Sequence, residues 1–189
     1  MKKVLLLSSF VISVMLIFSS CEKIKDLTDI PIDADLNADI STISESAPSS
    51  AGLKGATAQE YSFSGTATIN PTDNEDIDKY WKKIREWEVK KVLVKVKNAS
   101  KEAVLLNGQL VIKDKSSDEI LFVEDVENVH LTSGTIVFSI SGADWGEVIS
   151  ALNSKHSLVV GINGALDEPG VSITYGVVIS LKVTANIFN

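Results

Sequence analysis

An antiparallel β-sandwich with two short helices in its connections is the fold class this sequence predicts. Three observations predict it. Apolar and polar residues alternate with a period of two along most of the chain. Short clusters of Gly, Asn, Asp, Ser and Pro separate the alternating stretches. The order of elements is not strand–helix–strand, so parallel βαβ units are not indicated. A partly open β-barrel fits the same pattern and is the alternative.

The chain has 189 residues, 44% of them hydrophobic, which suits one globular domain. With 25 acidic and 18 basic side chains the formal charge is −7, a field that repels phosphate backbones. Nucleic acid is therefore excluded as a first choice of partner. A single cysteine forms no internal disulfide and no multi-thiolate metal site.

The N-terminus is an address. Lys2 and Lys3 precede an apolar run from Val4 to Phe18, broken only by Ser8, Ser9 and Ser13. Small Ser19 and Ser20 follow, and then Cys21. This is the layout of a secretory signal. The run is shorter than the roughly 20 apolar residues a membrane-spanning helix needs. Residues 1–20 are thus expected to be removed, which takes away two lysines and no acid and leaves a charge of −9.

Phe18-Ser19-Ser20-Cys21 resembles the lipobox of bacterial lipoproteins. The resemblance implies that Cys21 becomes the first residue and carries a diacylglyceryl thioether, so the protein's first partner is a lipid bilayer. Two or more acyl chains give stable anchoring without a span. Cys21-Glu22-Lys23 is similar to the surface-export signal of Bacteroidetes lipoproteins, with Ile24 and Lys25 interrupting its acidic part. The implied location is the outer membrane, lipid-anchored and facing outward.

Residues 21–31 read as a lipidated N-terminus and tether, and 32–189 as the sandwich domain. Ile32, Ala34, Leu36, Ala38 and Ile40 alternate with Asp33, Asp35, Asn37 and Asp39, a half-buried strand with an acidic outer face. Residues 44–60 are rich in Ser, Ala and Gly and form a connector. In the next strand Tyr61, Phe63, Ala67 and Ile69 share one face, and Ser62, Ser64, Thr66 and Thr68 the other.

Thr72-Asp73-Asn74-Glu75 has the spacing of a capping box. Behind it Ile77, Tyr80, Trp81 and Ile84 fall on one face of a short helix. From Val89 the period returns to two, with Val92, Val94 and Val96 on one side and Lys91, Leu93, Lys95 and Lys97 on the other. Asn98-Ala99-Ser100 turns the chain, and 104–113 reads as the returning strand of a hairpin. A further strand or strand pair is expected from Ile120 to Val123, continuing irregularly to Leu131, and strands at 135–140, 158–164 and 171–188. Trp145, Val148, Ile149 and Leu152 mark a second helix over 143–153. The passage from Asp76 to Val96, helix running into strand, is the most distinctive. The whole layout resembles small Bacteroidetes lipoproteins that carry one Ig-like β-sandwich and no assigned activity.

Several constellations invite chemistry. Asp33, Asp35, Asn37 and Asp39 have the spacing of a Ca²⁺ loop, but Ala38 and Ser44 occupy the places of its glycine and its bidentate glutamate. The interleaved apolar residues favour an extended strand instead. Trp81 and Trp145 sit on apolar helix faces. Trp87, between Glu86 and Glu88, is the tryptophan expected to be exposed and is the candidate ligand-binding residue. Lys90, Lys91, Lys95, Lys97 and Lys101 cluster around one strand, where acids can balance them. No GxSxG, HExxH, P-loop or GxGxxG motif occurs, and no cofactor is implied. A hydrolase would require His130 or His156 to meet an acid and a serine in a pocket. The expected function is therefore non-enzymatic: a membrane-anchored module that binds an envelope protein or glycan, with a structural subunit of an envelope assembly as the alternative.

Overall fold

The computed structural model describes residues 29–46 and 59–186. The signal segment, Cys21, most of the tether, the middle of the connector and Ile187 lie outside the described residues. Within them are eight strands: β1 (Asp29–Ile43), β2 (Tyr61–Ile69), β3 (Ile84–Ala99), β4 (Ala103–Asp114), β5 (Ile120–Leu131), β6 (Ile136–Ile140), β7 (Leu158–Leu166) and β8 (Ser172–Asn186). Helix α1 (Glu75–Tyr80) lies between β2 and β3, and α2 (Gly146–Asn153) between β6 and β7. Among the described residues no helix is long and apolar enough to cross a membrane.

The strands form two antiparallel sheets. Sheet I has the order β1-β8-β3-β6, and sheet II the order β2-β7-β4-β5. First pairs with last, β1 with β8. The scheme continues inward as β2 with β7, β3 with β6 and β4 with β5. One long hairpin has been rolled into a sandwich, and this is the strand order of a jelly roll. The sandwich is as expected and no barrel closes. The immunoglobulin order differs: there A, B, E and D share one sheet and C, F and G the other. Here only β4 and β5 are consecutive strands within one sheet. The 98–100 turn therefore does not close a hairpin. It carries the chain from sheet I to sheet II, and period-two patterning, which fixes faces but not partners, could not tell the two apart.

Element boundaries shift for local reasons. β1 begins at Asp29, so the last residues assigned to the tether already pair with β8, with Pro31 opposite Thr184. β1 is an edge strand, where proline is tolerated. The capping-box reading places the helix too early. Pro71–Asp73 is a 3₁₀ turn, and Asn74 is the N-cap, its Oδ1 accepting from the Asp76 and Ile77 amides at 3.0 and 3.2 Å. α1 ends at Tyr80, a second 3₁₀ turn follows, and Ile84 opens β3 rather than closing the helix.

The core is the layer between the sheets. Ile173, Tyr175, Val177, Ile179, Leu181, Val183 and Ala185 of β8 all point into it, as the alternation requires. Leu110 and Ile112 of β4 and Val160 and Ile162 of β7 face them from sheet II. Each such aliphatic side chain contributes about 1.5–3 kcal/mol on burial. Tyr175 stacks on Phe63 across the layer, ring centroids 6.2 Å apart, and burial pushes its phenol pKa up.

Candidate functional site

Trp87 is not exposed. It points into the core with 5% of its surface accessible and meets Trp81 edge-on, centroids 6.0 Å apart. β3 begins at Ile84, and bulges at Ile84/Glu86 and Val89/Lys91 shift its alternation so that Trp87 and Val89 face the core with Val92 and Val94. The expected ligand platform at Trp87 is therefore corrected to a core anchor. Trp145 is likewise buried, 4.4 Å from Phe122. Trp81 is half-buried, with the Lys155 ammonium 5.2 Å above its ring.

The outer face of sheet I is charged, and part of that charge is paired. Lys97 on β3 reaches Asp39 on β1 at 2.6 and 2.8 Å. Lys101 pairs with Glu168 at 3.0 Å, and Lys90 with Glu88, whose carboxyl that bond lowers in pKa. The lysine cluster is thus largely a balanced strand face. Asp33, Asp35, Asn37 and Asp39 lie spread along extended β1. Among the described residues no group of three His, Cys, Asp or Glu side chains could hold a metal ion.

His156 does meet an acid and a serine. Its Nδ1 lies 2.6 Å from Asp114 Oδ2 and 3.1 Å from Ser116 Oγ. A catalytic triad places acid and nucleophile on opposite ring nitrogens, so that one orients the base and the other loses its proton to it. Here both approach the same nitrogen. The Ser116 hydroxyl donates to Asp114 Oδ1 at 2.7 Å, as does the Ser116 amide. Burial works against ionisation of Asp114, but the bonds from Ser116 and then His156 outweigh it and hold its pKa at about 2. The cluster is a lock that fastens the β4–β5 turn to the start of β7. His130 lies apart, on exposed β5.

Among the described residues, clefts open on the outer face of sheet II. A cleft of about 400 Å³ is lined by Ser64, Thr66, Val111, Lys113, Gly161 and Asn163 among others. A second, about 240 Å³, adjoins it around Asn107, Gln109, Asp125 and Glu127, and Asn163 lines both. The register builds this surface in rows. Thr66, Gly161, Val111 and Val123 lie side by side across the four strands. Ser64, Asn163, Gln109 and Asp125 form the neighbouring row. Gln109 donates to Asp125 at 2.9 Å, and Lys113 pairs with Asp118 at 3.1 Å.

Gly161 is the floor. A Cβ there would meet Thr66 Cγ2 at 3.4 Å and nothing nearer, an ordinary contact. Packing does not demand glycine at this position. Glycine inside a strand is destabilising by about 0.5–1 kcal/mol relative to alanine, and it often marks a close approach by a ligand. Gly164 on the same strand is different, since its Cβ would lie 2.2 Å from the Asn107 carbonyl oxygen. The alternation of β2 puts Ser64 and Thr66 on one polar face, whereas Gly161, Asn163 and Gln109 join them only through the register of β7 and β4. A glycine interrupting the apolar run of 158–166 was the available signal.

No protein-family model matches the chain, and no curated protein matches it. Solved structures give distant likenesses. One is a family 11 carbohydrate-binding module from Clostridium thermocellum in complex with a β-1,3-1,4-mixed-linked tetrasaccharide. It is 9% identical, with a TM-score of 0.25 over 81% of this chain and 88% of that one. Another is a chain of the T13 IBDV viral particle, 14% identical, with a TM-score of 0.28 over 82% of this chain and 38% of that one.

Proposed function

We propose that this chain is a non-enzymatic binding module, held at the outer membrane by lipid on Cys21, whose ligand seats on the outer face of sheet II. The observation that carries the binding face is Gly161. It stands between Thr66 and Val111 in the floor of the cleft, where the fold would accept a Cβ, with Ser64 and Asn163 beside it. The lipobox residues Phe18 to Cys21 support the anchor. A sandwich fixed to a bilayer presents such a groove to partners without crossing the membrane.

Two measurements test the two halves separately. Growth with a fatty-acid analogue is expected to tag the wild type and leave Cys21→Ser untagged; an untagged, freely secreted wild type overturns the anchor. Gly161→Val is expected to keep or raise the unfolding temperature while weakening capture of envelope ligands by about tenfold or more. Equal capture by both proteins overturns the groove.

A further inference from the structure

The groove residues also specify what kind of molecule fits, an inference that rests on the groove being the ligand site. We propose that it takes a neutral, hydroxyl-rich glycan chain lying across the strands.

The first ground is the chemistry of the lining. Ser64, Thr66, Asn163 and Gln109 offer hydroxyls and primary amides, each of which both donates and accepts. A sugar hydroxyl also does both, so either orientation of such a pair is satisfied. The second ground is spacing. Adjacent strands lie about 4.8 Å apart, so the row Ser64, Asn163, Gln109, Asp125 spans about 14 Å in even steps. Each step approaches the length of one pyranose, which suits a repeating chain better than a single small molecule. The third ground is the floor. Gly161 and the aliphatic Val111, both largely buried at the base of the cleft, give an apolar floor for the C–H face of a sugar, and no aromatic ring is among the described lining residues.

Charge selects among glycans. Among the described residues lining the two clefts Lys113 is the cation, and Asp118 already pairs with it at 3.1 Å. Asp125 and Glu127 add two further carboxylates at the other end. An anionic polymer would meet a net negative groove on a chain whose charge is −7. The middle of the groove carries no charge, so a neutral chain loses nothing there.

The test is affinity electrophoresis of the mature protein in gels containing neutral polysaccharides (β-glucan, xylan, mannan) or anionic ones (polygalacturonate, alginate). Retardation by at least one neutral polymer is expected, little changed from low to high salt because no ion pair forms. Asn163→Ala, on an exposed side chain, is expected to bind about tenfold more weakly, the worth of a hydrogen bond left unmade. Gly161→Val is expected to abolish retardation. Retardation by anionic polymers alone, or loss of it in high salt, overturns the neutral class, and the groove survives if Gly161→Val removes that binding too. Failure of every neutral polymer to retard the wild type also overturns it. Neutral binding that both variants retain overturns the groove itself.

Discussion

Gly176 on β8 and Gly161 on β7 both lie on an outer face, on a central strand of their sheet. At Gly176 the missing side chain is replaced by a neighbour's. A Cβ there would sit 2.8 Å from Lys97 Cε, because Lys97 lies down across the glycine to reach Asp39. At Gly161 no long side chain lies across the strand, and the nearest atom to a Cβ would be Thr66 Cγ2 at 3.4 Å. One glycine lets an ion pair roof its sheet, and the other leaves its sheet open. The same residue type thus has opposite consequences, decided by whether a long charged side chain stands beside it. Sheet I is a closed, solvated surface and sheet II an open one.

The largest expected effect tests whether sheet I takes any part in binding. Trp87→Ala empties a buried indole site and is expected to destabilise by about 4 kcal/mol, read from urea unfolding. Trp87→Phe keeps most of the volume and is expected to bind ligand as the wild type does. Lost binding in a folded Trp87→Phe protein would break the contrast between the sheets. Next in size is the pair of glycines on β7. Gly164→Ala drives a Cβ into the Asn107 carbonyl and is expected to cost about 3 kcal/mol. Gly161→Ala is expected to cost nothing or to stabilise by about 0.5 kcal/mol. Equal losses at both positions would mean that Gly161 is a packing glycine after all.

The alternation of β1, β2, β3 and β8 made the faces of both sheets legible, since burial alone puts every second residue inside. Pairing was not legible. The chain changes sheets at 98–100 with the same turn residues it would use to close a hairpin, and only the packed core decides between them. Trp87 was misplaced because a helix read through Ile84 hands over to β3 several residues late. Trp87 then turns inward because β-bulges at Ile84/Glu86 and Val89/Lys91 reset the alternation, which strict period-two counting back from Val92 would have put on the lysine face. The groove was half legible. The serines and threonines of β2 announced a polar face, but Asn163 and Gln109 join it only through a register that no local pattern states. The Asp114–His156 contact joins residues 42 apart, beyond any spacing rule.

A smaller effect concerns the lock at the end of sheet II. Asp114 has a folded-state pKa of about 2 against an ordinary 3.8. A depressed carboxylate contributes stability that is complete above its unfolded pKa and disappears as the pH falls through the folded one. Urea midpoints of the wild type are expected to drop between about pH 4 and pH 2 for this reason. Asp114→Asn should be less stable at neutral pH and lose this group's share of the drop. An unchanged acid limb in the variant would assign the drop to other carboxylates.

The smallest effect belongs to the roof of sheet I. Gly176→Val would lift Lys97 from the strand and separate it from Asp39. Both side chains are more than half exposed, 56% and 54%, so the ion pair contributes at most about 1 kcal/mol. Valine's preference for strands offsets part of that loss. The variant is therefore expected to unfold within about 1 kcal/mol of the wild type and to bind glycan equally well. Gly161→Val, the same substitution on the opposite face, is expected to lose binding while keeping stability. The two variants together separate a glycine that accommodates a neighbour from one that accommodates a ligand. If Gly176→Val reduced binding and Gly161→Val did not, the ligand would seat on the outer face of sheet I, and the assignment of the two sheets would have to be exchanged.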